Sequence, residues 1–503
     1  MPIHLSIVVF GPLAAGLAGA FMPARLGRWV VVAATVAVLA YVVVALFDFD
    51  SARAGQQYVT DQNWISELGI RYQLGLDGLN VFLVAMTALL WVPSAIWGAV
   101  RVNESPRLFM FHLALAETAV LGAFCAQDLA LFVVFFDLML VPFYFLIGGW
   151  GQGDRVRATT KFVIFTLVGS LLMLAGAVAL GVLSTPDGGS ISFSFADLER
   201  NTLPTGTQEW IFLLFTAAFL VKAPLFPFHG WVVDTYRSTP IPVLVVFSAV
   251  LSKVGAYGFL RIVLPILPDA SEYFQDLMLV LAVVSILYGS MLAFSQDEAR
   301  LVLAYSSIAQ LGFIVLGIFS LSEQGAQGAV MQMVSHGLVV APLLFIIALL
   351  SARTGGAPSL ERMGGLALRA PVLAALFLVA TLAMLAMPGT PNFAAEILIL
   401  FGTFEDKLVY GLVASVGVVL AAVYMIRFLQ RSMHNRAPAG AESAEVGGLG
   451  LFAIAPLVAV VVALGIYPQF VLERTERATV SKVAPAAQVA GTAEPEREVS
   501  AIR

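Results

Sequence analysis

The sequence is poorest in what a water-soluble or redox protein needs. Its 503 residues contain one cysteine, Cys125, set in an apolar run. A single cysteine builds neither a disulfide framework nor a cysteine-ligated zinc or iron–sulfur site, so redox chemistry inside this chain is not expected. Charge is scarce too: Asp, Glu, Lys and Arg make up 12% of the residues, against ~25% in soluble domains. The net charge is -5 and no basic run could neutralise phosphates, which argues against nucleic acid as a partner. Lysine is rare, with five lysines against 22 arginines.

What is abundant is apolar length. Hydrophobic residues are 60% of the chain, and cutting it into runs of about 20 residues, enough to cross a ~30 Å hydrocarbon core, leaves little besides short loops. Fourteen spans begin near Ile3, Trp29, Leu79, Leu108, Leu129, Phe162, Trp210, Ile241, Leu277, Leu301, Gln327, Ala370, Leu408 and Gly447. The expected fold class is an all-α membrane protein with about 14 transmembrane helices. The first run has no basic n-region and no A-x-A site behind it, so it reads as a span and not as a cleaved signal. Loops after odd-numbered spans hold fifteen Lys and Arg residues, while loops after even-numbered spans hold four, Arg53, Arg71, Arg200 and Lys407. The odd loops therefore face the cytoplasm and both termini the outer face. Residues 472–503, rich in Ala, Glu and Arg, read as a disordered tail.

Proline and glycine punctuate two spans. The seventh contains VKAPLFPFHG (Val221 to Gly230) and the twelfth MPGTPNFAAE (Met387 to Glu396). Prolines three residues apart leave carbonyls unpaired in a continuous helix, so each span is expected to be two half-helices around an unwound piece. The two spans are five apart, an odd number, so spans four to eight would recur as nine to thirteen with inverted topology. Interrupted segments at matching positions of inverted halves point to a transport site; ordinary proline kinks fit as well. The expected division is 1–107 for three N-terminal helices, 108–265 for the first five-helix repeat, 277–430 for the inverted second repeat, 447–471 for the last span, then the tail.

Seven ionisable residues fall inside spans: Glu117, Asp137, Lys222, His229, Lys253, His336 and Glu396. A charge at mid-bilayer costs roughly 2.5 to 3.5 kcal/mol on insertion scales, so keeping several needs a reason beyond packing. Asp137 is the sole ionisable residue from Leu129 to Gly153, and Lys222 sits comparably deep. The two are expected to form an ion pair between spans five and seven whose opening and closing moves a proton, which a guanidinium does not allow. Simple helix-to-helix glue is the alternative. Lys222 closes a half-helix, where carbonyls favour a cation, and Glu396 lies in the opening turns of another, where amides favour an anion. Lys253, flanked by small residues, is placed as a central relay between them, with a lone satisfied lysine as the alternative. His336 is a bridge from Lys253 to Glu396 or a hydrogen-bonded helix contact. His229 is accessory, lining an inward route or packing at the interface, and Glu117 tunes Asp137 or joins a route from a neighbour. Asp77, His112, Asp128 and Arg261 lie near span ends, where snorkelling or capping accounts for them.

The segments FFDLMLVPFYFLIGGWG, FLVKAPLFPFHGWVVD, LSKVGAYGFLR, LAYSSIAQLGF, QMVSHGLV and MPGTPNFAAEILILFGTF, in this order between about Leu74 and Gln430, together resemble the antiporter-like subunits of respiratory complex I. The resemblance implies inverted five-helix repeats with broken helices seven and twelve. It places the span-five acid on Asp137, its lysine partner on Lys222, the span-eight lysine on Lys253 and the terminal site on Glu396. Glutamate there is similar to the M-type subunits, whereas the L and N types and the Mrp-type antiporters usually carry lysine. The likeness further implies proton translocation in NADH-quinone oxidoreductase, in a bacterial inner membrane, with no cofactor, metal or catalytic centre in this chain. NADH, FMN, iron–sulfur clusters and quinone are then expected in partner subunits, with L-type and N-type subunits on either side and lipid around them. Three departures stand out: Asp137 replaces the usual glutamate, which lengthens or water-bridges the pair with Lys222; Gln310 replaces a frequent histidine; and DTYRSTPIPVLVVFSAVLSK looks partly N-type. The second reading, an Mrp-type cation/proton antiporter subunit, differs in the chains that would co-purify.

Overall fold

Lipid satisfies no backbone amide, so apolar runs of this length must close their hydrogen bonds internally, as helices. The computed structural model describes residues 4–53, 55–186, 189–353, 359–434 and 445–492. Its main helices are α1 (Leu5–Phe21), α2 (Ala24–Asp48), α3 (Val81–Arg101), α4 (Pro106–Cys125), α5 (Leu129–Trp150), α6 (Arg155–Leu183), α7 (Thr205–Lys222), α8 (Val232–Ser238), α9 (Ile241–Ile266), α10 (Gln275–Ser295), α11 (Ala299–Phe319), α12 (Glu323–Arg353), α13 (Pro371–Met384), α14 (Pro391–Phe404), α15 (Leu408–His434), α16 (Gly448–Ile466) and α17 (Gln469–Ala490). Among the described residues eleven helices are long and apolar enough to cross a membrane, and α1, α13 and α14 are shorter apolar helices.

Burial sorts the helices by role. Of the most apolar window, 94% is buried in α9 and α11 and 89% in α12, against 39% in α2 and α6 and 33% in α15 and α16. The first three form the protein interior; the last four present leucine and valine outward, where lipid can meet them. Close approach depends on missing side chains: a Cβ on Gly312 of α11 would stand 2.8 Å from the Ala282 carbonyl of α10, and one on Gly255 of α9 would stand 2.7 Å from the Phe219 carbonyl of α7. Both proline-marked breaks are present, at 223–231 between α7 and α8 and at 385–390 between α13 and α14.

Three features differ from expectation. The segment between α2 and α3 is not a plain loop but an antiparallel hairpin, β1 (Gln57–Ile65) with β2 (Ile70–Leu76), pairing Gln62 with Tyr72 and Asn63 with Arg71. Its turn uses Gly69 at φ 68, the left-handed conformation that favours glycine. Helix α9 contains two wide π-helical turns, Phe247–Leu251 and Phe259–Val263, on either side of Lys253. The tail expected to be disordered begins as a helix instead. In α17 Val471, Thr475, Thr479 and Val483 recur every fourth residue and are buried, and this stripe packs on α12 and on the loop helix Pro268–Tyr273. The helix stops at Gly491, φ 71, and the remainder of the expected tail, 493–503, lies outside the described residues.

Candidate functional site

Lys222 is the last residue of α7, beside carbonyls that have no intrahelical donor and favour a cation. Pro224 and Pro227 prevent the helix from continuing. The side chain is 2% exposed, and its Nζ lies 4.4 Å from the centroid of the Phe136 ring, a cation–π contact. It also lines a cavity of about 10 Å³, the size of a single water. Tyr236, Ser248, Ser252 and Ser307 share that lining.

The expected ion pair between Lys222 and Asp137 is not formed. One carboxylate oxygen of Asp137 is buried without a hydrogen-bond partner, and the groups acting on the carboxylate are Ser170 of α6 and, at longer range, Lys222. The physical reason is reach. Aspartate is one methylene shorter than glutamate, and the ammonium instead lies over the ring of the preceding residue, Phe136. Asp137→Glu is therefore expected to close the pair and keep near-normal transport, and Asp137→Asn to lose most of it. Equal transport by the two variants would show that position 137 needs no charge.

Lys253 is fully buried on α9 and has three acceptors: His336 Nδ1 at 2.9 Å, the Ser248 carbonyl at 3.1 Å and Ser252 Oγ at 3.3 Å. An ammonium has three protons to donate, one for each of these groups when His336 Nδ1 is the acceptor. Ser248 sits within a wide turn and offers its carbonyl to Ser252 Oγ as well as to Lys253. With Nδ1 accepting, His336 is neutral and carries its proton on Nε2, which has no partner among the described residues. Tyr236 Oη donates to Ser248 Oγ at 2.5 Å and reaches Ser307 Oγ at 3.4 Å. Of these hydroxyls, that of Ser252 both lines the cavity beside Lys222 and bonds Lys253, whereas Ser248 meets Lys253 through its carbonyl. Sequence reasoning missed them, although Ser248 and Ser252, four residues apart and just ahead of Lys253, were a visible signal.

Beyond His336 the groups become amides. Ser335 Oγ donates to Gln332 Oε1 at 3.3 Å, and Gln332 Nε2 donates to Gln310 Oε1 and stands 3.5 Å from Glu396 Oε1. Gln310 is thus part of the contact around Glu396. Glu396 lies in the second turn of α14 and is 3% exposed. Its Oε2, both side-chain polar atoms of Asn392 and the Tyr424 hydroxyl are buried without partners among the described residues. Amides donate and accept without taking a net proton, so Gln332 and Gln310 can hold Glu396 by hydrogen bonds but cannot themselves be protonated.

The accessory residues stand apart. His229 lies in the break before α8, bonded to Tyr288 Oη at 3.2 Å and packed against Phe226. Glu117 bonds Thr35 of α2 at 3.0 Å and not Asp137. Arg261 and Asp77 do not snorkel; they form a buried ion pair at 2.6 Å.

Residues 126–421 match the family described as NADH:quinone oxidoreductase/Mrp antiporter, TM. NADH-quinone oxidoreductase subunit M of Rhodobacter capsulatus is 35% identical over 93% of this chain and 94% of its own. NAD(P)H-quinone oxidoreductase chain 4 1 of Nostoc sp. is 33% identical over 96% of this chain and 92% of its own. A chain of respiratory complex I from Thermus thermophilus, solved with bound NADH, is similar with TM-score 0.87 and 29% identity over 97% of this chain and all of that one. A chain of the Mrp complex from Dietzia sp. shares the fold, with TM-score 0.83 and 22% identity over 98% of this chain and 100% of that one. With a family match through most of the membrane helices and curated relatives similar over nearly the whole length, the chain belongs to the NADH:quinone oxidoreductase/Mrp antiporter transmembrane family.

Proposed function

We propose that this chain is a proton-translocating, M-type membrane subunit of a respiratory NADH-quinone oxidoreductase, driven by electron transfer in other subunits. The observation that carries the reading is the buried series from Lys222 across its cavity to the Ser252 hydroxyl, then Lys253, His336 and Glu396, inside the three most buried helices and the two broken ones. A proton released at Lys222 crosses the water-sized cavity to the Ser252 hydroxyl, which gives up its own proton to Lys253 as it takes one, and then passes from Nζ to His336 Nδ1 and on to the Glu396 carboxylate. Lysine and histidine both gain and lose protons, whereas arginine effectively does not.

In this reading the chain crosses the membrane fourteen times: by the eleven long helices, by α1, and by the broken pairs α7/α8 and α13/α14. Residues 108–265 and 277–430 are the inverted repeats, 1–107 and 447–471 flank them, and both termini face outward. NADH, FMN, iron–sulfur clusters and quinone bind in partner subunits, and L-type and N-type subunits lie on either side. The similarity to subunit M of Rhodobacter capsulatus and chain 4 1 of Nostoc sp. supports the assignment to NADH-quinone oxidoreductase. The Mrp-type reading rests on the family description and a shared fold, and the glutamate at 396 disfavours it.

The test is Lys222→Ala in the assembled complex, reconstituted in sealed vesicles. This subunit's contribution to NADH-driven proton movement is expected to fall at least about tenfold, as loss of a required transfer group implies, with assembly intact. Near-normal pumping would overturn the relay.

A further inference from the structure

The outer end of α9 holds an ion pair that the proton route described above does not use. Arg261 is 1% exposed. Its Nε donates to Tyr257 Oη at 2.8 Å and its Nη2 to Asp77, 2.6 Å from Oδ2. Asp77 is itself fixed, accepting from the Leu79 amide at 3.0 Å, and Tyr257 donates to the Phe124 carbonyl at 3.1 Å. Lys253, Tyr257 and Arg261 follow one another at four-residue steps, so Tyr257 stands one turn from the relay lysine and Arg261 one turn farther on.

Beyond Arg261 lies a cavity of about 210 Å³. It opens where Ser51 and Arg53 are exposed. Arg53, Arg261, Arg474, Arg477 and Lys482 line it, with Asp77 as the one acid. Lys482 is neutralised by Glu199 at 2.5 Å. Arg474 and Arg477 bond only carbonyls, those of Phe470 and Ala52, among the described residues. The cavity therefore carries uncompensated positive charge at its mouth and a locked guanidinium at its floor.

We propose that Arg261, held by Asp77 and Tyr257, is a fixed positive barrier that keeps protons from leaking between the outer cavity and Lys253. A guanidinium cannot hand on a proton, and a buried positive charge repels one, which is how pores exclude protons with an arginine. Without such a barrier a polar cavity two helical turns from the relay lysine would short-circuit the route toward Glu396. The proposal rests on the relay reading of Lys253, but its test needs no turnover, so the two fail separately.

The experiment is passive proton flux. The purified complex is reconstituted in vesicles with an imposed pH gradient and no NADH. Arg261→Gln with Asp77→Asn removes both charges without leaving a lone buried carboxylate; the leak is expected to rise about tenfold, the factor for a barrier lowered by roughly 1.4 kcal/mol. Adding Lys253→Met should return the leak to the wild-type level, and Arg261→Lys, which keeps the charge but can release a proton, should leak less than the neutral pair. If the neutral pair fails to assemble, Arg474→Gln with Arg477→Gln at the rim should still raise the leak about threefold by lowering the cavity's positive potential. A tight neutral variant, a leak that persists with Lys253→Met, a leak equal in Arg261→Lys, or, where the rim pair is the variant used, a tight rim pair would each overturn the barrier.

Discussion

Lys253→Met is expected to abolish NADH-driven proton translocation by this subunit while the complex still assembles. Methionine fills nearly the same volume on an unbranched chain, so packing in the fully buried site is largely kept. What disappears is the donor that binds His336 Nδ1, the Ser248 carbonyl and Ser252 Oγ together. Ser252 Oγ already donates to the Ser248 carbonyl at 3.2 Å, so that carbonyl keeps a donor and Ser252 keeps one hydrogen bond. His336 loses its only partner among the described residues and is cut off from the proton source. Proton uptake per NADH and the rate of oxidation under coupling are the quantities to measure, with assembly checked on the intact complex. A drop of at least about tenfold in this subunit's contribution is expected for loss of a proton-transfer group. Unimpaired pumping would move the route away from α9.

Glu396→Gln tests the other end. Glutamine keeps shape and hydrogen bonding next to Gln332 and Gln310 but cannot ionise. Transport and coupled oxidation are expected to fall to a similar degree without loss of assembly. Glu396→Lys still titrates, although its charge opposes the amide dipoles in the opening turns of α14. It should fail less completely than Gln. A Gln variant that pumps normally places the terminal site elsewhere.

Much of this site was visible in the chain because its parts are expensive. A proline pair cannot hide inside a membrane helix, so the breaks after Lys222 and before Glu396 declare themselves. The ionisable residues stand out because lipid makes each one costly. What stayed hidden lacks such a signature. The wide turns around Lys253 lie in VLVVFSAVLSKVGAYGFLRIV, where no residue type announces them. The missing contact between Asp137 and Lys222 depends on where Phe136 places its ring. Arg261 looked like an end-of-span arginine because its partner Asp77 is 184 residues away. Two misses were avoidable. The hairpin groups strand formers, Tyr58, Val59, Thr60, Trp64 and Ile65, ahead of the turn residue Gly69, and α17 repeats its buried stripe every fourth residue between Pro468 and Gly491.

The two wide turns of α9 have a mechanical meaning as well as a chemical one. Each holds one more residue per turn than an α-helix, so the helix carries spare length on both sides of the segment Ser252–Gly258. If one turn tightens while the other loosens, that segment advances by about 1.5 Å and rotates by about 100°, the step of a single residue. The ends of α9 need not move. A sliding register of this kind would swing Lys253 toward or away from His336 inside an otherwise rigid interior, a toggle whose two positions are set by backbone hydrogen bonds and not by the displacement of a whole helix.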